Sequence, residues 1–134
     1  AIAQNLPNSL CRSAFKFIYE LVARDKHQVF CHNDLNLSNI MYSDDIFFID
    51  WDYAGFNHPY FDLALLFNAM NLTSNEEYNF LSIYADQEHN FDHELLKEYK
   101  KMSLYVEYLW IVATSSQENP KYVTRFDELS TLLR

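Results

Sequence analysis

VFCHNDLNLSNIMYSDDIFFIDWDYA, residues Val29 to Ala54, is the stretch whose reading decides the fold. Val29, Phe30 and Cys31 form a short apolar run that suits a buried strand, and Asn33 to Ser38 is polar and rich in turn formers, so the segment opens as strand then loop. Ile40 to Tyr42 and Ile46 to Ile49 are again strand-like, and Ser43, Asp44 and Asp45 between them suit a hairpin turn. A hairpin returns its far end to its start. Asn39 and Asp50 are therefore expected side by side, with Asp34 projecting from the loop just before them. A carboxylate and an amide oxygen held together make half a site for a hard divalent cation, which takes oxygen ligands and keeps water or substrate phosphate for the rest. A separate carboxylate nearby can accept a proton from an incoming hydroxyl.

These residues also fit a family pattern. His32-Asn33-Asp34-Leu35-Asn36-Leu37-Ser38-Asn39 resembles the catalytic loop H-x-D-x-x-x-x-N of kinases, and Ile49-Asp50-Trp51 stands where kinases carry a metal-binding Asp after a hairpin. The HND and IDW forms resemble the small-molecule branch: choline and ethanolamine kinases and the aminoglycoside phosphotransferases. Ile49 to Ala54, followed by Phe61-Asp62-Leu63-Ala64, is most similar to choline kinases. Order, separation and apolar flanks agree, which makes the linked pair of motifs far more specific than either alone. The resemblance implies an α+β, mainly helical fold, the C-terminal lobe of a protein-kinase-like domain with a small active-site hairpin. It implies ATP and magnesium as cofactors and transfer of a phosphoryl group to a small alcohol, choline first. Asp34 would be the catalytic base and His32, placed with it in the catalytic set, would brace the loop. Asn39 and Asp50 would hold magnesium against the nucleotide phosphates, and Asp62 would tie the following helix to the catalytic loop.

The substrate side rests on aromatic residues. Asp52 and Tyr53, just beyond Asp50, pair a carboxylate with a ring, a combination that attracts a quaternary ammonium. Trp110 and Tyr122 stand near positions where choline kinases line the cation pocket. Against these, the helix after Phe61 carries Asn68, Ala69 and Met70 where that family tends to have an acidic residue.

Composition sets bounds. The 134 residues are the size of one domain, and ten Tyr and eleven Phe in a chain about half apolar exclude disorder. A net charge of −9 argues against nucleic acid and anionic membrane as partners and suits a cationic or metal-bound ligand. Cys11 and Cys31 make no disulfide framework and have no zinc spacing; buried reduced thiols fit a cytoplasmic protein. No membrane span or signal segment is expected. A kinase of this type needs a second lobe with a glycine-rich phosphate loop, and this chain has one glycine, Gly55. The chain is thus expected to be one domain over 1–134, a catalytic lobe whose partners are its missing N-terminal ATP-binding lobe and a small amino alcohol, and to be inactive alone.

Around this centre the periodicity predicts helices. A leader with a turn at Pro7 and Asn8 precedes an N-cap at Ser9 and a helix from Leu10 to about Lys26. Trp51 to Tyr60 reads as irregular, Phe61 to Asn71 as an apolar helix. Ser74 with Glu77 predicts a capping box for a helix to about Asp86. The longest helix runs from Asp92 to about Ser116 with Leu95, Tyr99, Met102, Val106, Leu109 and Val112 on its buried face. Asn119 with Pro120 begins the last helix. Three rivals stay open: the same chemistry on ethanolamine, an aminoglycoside or a sugar-like alcohol; a non-catalytic binding module that kept the lobe; and a metal-dependent hydrolase, for which the ligands are too few.

Overall fold

The computed structural model describes residues 8–85 and 91–134, so the leader over 1–7 and the end of a helix at Asp86 lie outside the described residues. The chain is mainly helical. Helix α1 spans Ser9–Arg24, strand β1 Val29–Cys31, β2 Ile40–Tyr42, β3 Ile46–Phe48 and β4 Gly55–Asn57. Helices α2 (Pro59–Met70), α3 (Ser74–Tyr84), α4 (His93–Ala113) and α5 (Val123–Leu132) follow. The strands form two separate antiparallel pairs, β1 with β4 and β2 with β3. The mainly helical α+β architecture with a small hairpin is the one expected.

Residues His27–Lys100 make one compact unit, which holds all four strands. Its core gathers Phe61, Leu63, Ala64, Leu66 and Phe67 of α2 with Cys31, Leu81, Leu96 and Tyr99. Helix α2 packs on β1 and on the single 3₁₀ turn Leu37–Asn39. It starts earlier than expected because His58 caps it, its Nδ1 accepting from Tyr60 N at 3.0 Å, while Pro59 takes the first helical position, where no N–H is needed. It ends at Asn71, whose left-handed backbone (φ 51°) stops the helix. In the second unit, residues 1–26 and 101–134, Leu10, Cys11 and Ala14 of α1 pack with Tyr105, Tyr108, Ile111, Leu129 and Leu133.

Several expectations are corrected. Trp51 to Tyr60 is not wholly irregular, since Gly55–Asn57 pairs with β1. The β1 strand is not buried throughout: Phe30 is 63% exposed and only Cys31 is covered. A two-stranded ribbon has core on one side at most. Asn8, not Ser9, caps α1, accepting from Cys11 N at 2.8 Å. The capping box of α3 is Thr73 with Glu76, one residue earlier than Ser74 with Glu77. On α4 the buried stripe takes Leu96, Tyr105, Tyr108 and Ile111 beside Tyr99 and Met102, while Leu95 is only half-buried. Asn119 and Pro120 form a turn ahead of α5, with Tyr122 N and Val123 N both bonded to Asn119 O.

Candidate active site

Register places the two motif segments. In the β2–β3 hairpin Ile40 faces Phe48, and the next rung is the bond from Ile49 N to Asn39 O at 3.0 Å. Asn39 thus sits across the hairpin mouth from Ile49, beside Asp50. The loop folds back on itself ahead of this mouth. Asn39 Nδ2 donates to Asp34 O at 2.8 Å and to Asp34 Oδ2 at 3.1 Å. Both partners can only accept, so the amide orientation is settled by chemistry, and Asn39 Oδ1 points away with no protein partner among the described residues. Asn36 completes the turn, its Nδ2 reaching Asp34 Oδ1 at 3.3 Å.

The loop is anchored from three sides. Asp62, in the first turn of α2, accepts from His32 N through Oδ2 and from Asn33 N through Oδ1, both at 2.8 Å. That is the tie between helix and loop expected for Asp62. His32 is 3% exposed, with Nε2 donating to Ile49 O at 2.8 Å and Nδ1 accepting from Asp34 N at 3.2 Å. Both ring nitrogens are therefore engaged within the protein. This is the geometry of a brace between loop and hairpin, and it leaves His32 no nitrogen to offer a substrate. Trp51 lies against the imidazole, with ring centres 4.7 Å apart, and its Nε1 donates to Phe48 O at 2.9 Å.

Asp50 adopts a left-handed backbone, φ 60°, and its carboxylate is exposed with no partner among the described residues. Among the described residues no three of His, Cys, Asp or Glu gather into a metal set. The donors available at the hairpin mouth are the free Asn39 Oδ1 and the Asp50 carboxylate, both hard oxygens. They fit a magnesium ion whose other positions are filled by water and phosphate.

Of the substrate-side residues, Asp52 and Tyr53 are exposed and follow Asp50 directly. Trp110 and Tyr122 belong to the other compact unit, where their rings meet edge to face at 5.5 Å. Lys121 Nζ lies 5.1 Å from the Tyr122 ring centre, so that ring already carries one cation. Asn68, the departure from the family pattern, donates to Lys100 O at 3.0 Å, which ties α2 to α4. Buried Cys31 is pushed up to about 11, first by burial and then by the Asp62 carboxylate.

Comparison with known proteins gives the family. A family model described as APH, the phosphotransferase enzyme family, matches residues 2–99. The chain belongs to that family. Protein LicA of Haemophilus influenzae (strain Rd) is 33% identical over 88 residues, 60% of this chain and 33% of that protein. Ethanolamine kinase 2 of Mus musculus is 49% identical over 47 residues, 33% of this chain and 12% of that one. The crystal structure of choline kinase LicA from Streptococcus pneumoniae superposes with a TM-score of 0.74 at 30% identity, covering 96% of this chain and 49% of that chain. The chain therefore spans half or less of the length of each of these relatives, and it shares the fold of the choline kinase LicA structure. Among its described residues no helix is long and apolar enough to cross a membrane.

Sequence reasoning missed Asn33, Asn36 and Asn57, which knit the loop together. The one available signal was the run of Asn at positions 33, 36 and 39, a residue type that bonds its own neighbourhood in turns.

Proposed function

We propose that this chain is the phosphoryl-transfer lobe of an ATP- and magnesium-dependent kinase acting on the hydroxyl of a small amino alcohol, choline before others. The observation that carries the reading is the clamp of Asn39 on Asp34, which fixes the Asp34 carboxylate at the loop's end and leaves the Asn39 amide oxygen with no protein partner among the described residues. Asp34 would orient the acceptor hydroxyl and take its proton. Asp62 and His32 hold the loop that presents it. Asn39 and Asp50 would hold the magnesium ion, which when bound neutralises charge on the nucleotide phosphates. Transfer of this kind asks the protein mainly for positioning.

The ammonium end of the acceptor would meet Asp52 and Tyr53. The nucleotide would be completed by a second, ATP-binding lobe, as the greater length of the relatives suggests. Met41, Tyr42, Ile46, Phe47, Phe48 and Ile49 of the hairpin are each 39% exposed or more, apolar surface on both sides of the ribbon that suits contact with that lobe. A cytoplasmic setting, where Cys11 and Cys31 remain thiols, belongs to the same proposal. Ethanolamine is the second reading, favoured by the 49% identity to the mouse ethanolamine kinase over 47 residues.

The test is ADP release by the full-length protein at fixed ATP with choline, ethanolamine or an aminoglycoside as acceptor. Choline is expected to be fastest. Asp34→Ala should lose roughly a thousandfold in turnover with nucleotide affinity kept, and Asp50→Ala should also lose magnesium-dependent nucleotide binding. Faster turnover of another acceptor overturns the choice of choline. Wild-type turnover in Asp34→Ala overturns the mechanism.

A further inference from the structure

We infer that Asn33 is a positioning residue that sets Asp34 by replacing the last rung of the β1–β4 ladder with its side chain. The inference rests on the base role proposed for Asp34. The pairing runs Val29 with Asn57, Phe30 with Phe56 and Cys31 with Gly55, so two residues further Asn33 falls opposite Tyr53. A regular strand would continue the ladder past that pair through its backbone. Asn33 does not, because its N–H is taken by Asp62 Oδ1 at 2.8 Å and its backbone turns left-handed at φ 66°. The side chain supplies the missing rung. Asn33 Nδ2 donates to Tyr53 O at 3.0 Å and to Gly55 O at 3.4 Å, while its Oδ1 accepts from Asn57 Nδ2 at 3.1 Å. Carbonyl oxygens only accept, so the amide can sit only this way round.

The residue just before the base is thus held from both sides, by α2 through its main chain and by β4 through its side chain. Few side chains can do this. Asn tolerates the left-handed region and carries both a donor and an acceptor on a short stem. The consequence reaches Asp34 directly: with Asn33 fixed, the Asp34 N–H is aimed at His32 Nδ1 and the Asp34 carbonyl at Asn39 Nδ2. It also reaches Tyr53, the ring proposed to meet the acceptor, because the Tyr53 carbonyl is the atom Asn33 grips. Asn33 therefore joins the acceptor side of the site to the base. A shift of the loop by about 1 Å is enough to cost on the order of a hundredfold in rate.

Two variants of the full-length protein test this. Asn33→Gly keeps the left-handed backbone and removes the grip; Asn33→Asp keeps the shape and the acceptor towards Asn57 but turns oxygen towards two carbonyls. Both should lower kcat by roughly 10- to 100-fold, with KM for nucleotide within about twofold of wild type because no nucleotide contact is touched. Independently of turnover, amide hydrogen exchange over residues 32–39 should rise at least tenfold in both variants, while exchange in β2 and β3 stays as in wild type. Wild-type kcat or wild-type exchange over 32–39 in both variants overturns the inference. So does recovery of kcat by Asn33→Asp, since the donations to Tyr53 and Gly55 would then carry nothing. If the wild-type protein phosphorylates no acceptor, the kinase reading fails by itself, and exchange alone decides whether Asn33 holds the loop.

Discussion

Replacing Asp62 by Ala removes the acceptor of two hydrogen bonds, from His32 N and Asn33 N, each 2.8 Å long. A hydrogen bond to a charged group contributes about 1.5–3 kcal/mol. Asp62 is half-buried, so water can reach part of the vacated space and the lower end applies to each bond. The first turn of α2 also loses a favourable charge, worth roughly 0.3–1 kcal/mol. The sum is about 3.5 kcal/mol. For a chain of this size about 3.5 kcal/mol lowers the melting temperature by roughly 10–15 °C, read by circular dichroism, with a matching fall in the urea midpoint. Asp62→Asn keeps one acceptor and presents an amide to the other N–H, so it should fall between wild type and Ala. Either change should also bring the Cys31 thiol below about 11, because the Asp62 carboxylate is the second cause of its rise after burial. Thiol-reagent kinetics between pH 8 and 10 report that shift. If Asp62→Ala melts within 1 °C of wild type, the two bonds are not holding the loop and the account of its anchoring is wrong.

Alkali should destabilise the protein in a defined window. Cys31 is raised from 9.0 to about 11 in the fold, so the stability its neutral thiol contributes is intact below pH 9 and lost as pH climbs to about 11. The loss is on the order of 2–3 kcal/mol, and a Cys31→Ala variant in urea titrations should show a shallower slope there. Gly55→Ala should be tolerated: an added Cβ would meet nothing nearer than Asn33 Nδ2 at 3.8 Å, and no positive φ demands glycine. Its unfolding free energy in urea titration should exceed that of wild type by about 0.4–1 kcal/mol; a fall of the same size would contradict the β4 geometry. Asp50→Gly and Asp50→Ala should part in stability, since only glycine is at ease at φ 60°. Glycine should raise the unfolding free energy in urea titration and Ala lower it, by about 1 kcal/mol each way, with magnesium-dependent nucleotide binding lost in both.

What could be read from the chain, and what could not, divides along range and redundancy. The loop and hairpin were legible because short apolar runs flank a motif whose residues each have a chemical reason to be there. The caps were legible in kind but not in position. Thr73-Ser74 and Glu76-Glu77 are doublets that offer two capping boxes one residue apart, and Asn8-Ser9 offers two N-caps. The fold takes the earlier in each case. Leu95 and Leu96 pose the same ambiguity on α4, and the core takes Leu96. Strand β4 was invisible: Gly55, Phe56 and Asn57 hold one apolar residue between them, and their partner in β1 lies more than twenty positions away. The Asn33 bridge fails to show for the same reason, as it depends on which carbonyl a distant strand delivers.

The site also explains why two non-glycine residues keep left-handed backbones where β1 and β3 give out. Asn33 (φ 66°) and Asp50 (φ 60°) each follow a strand by two residues, and each turns the chain out of its sheet. An extended continuation would send Asp34 and the segment after Asp50 on along their ladders, away from the hairpin mouth. Each turn costs about 1 kcal/mol. At Asn33 that cost is offset locally, by Asp62 on the main chain and by three hydrogen bonds of the side chain. Asp50 has no such partner among the described residues, and what holds it is its neighbours: the rung from Ile49 N to Asn39 O and the bond from His32 to Ile49 O immediately before it. The strain sits at the residue proposed to bind the cation, and the bonds that sustain it come from the loop that carries the proposed base. Loosening the loop therefore weakens the support of Asp50 while the β2–β3 rungs stay, which is why His32, buried and with both ring nitrogens engaged, belongs to the proposed site as much as the carboxylates.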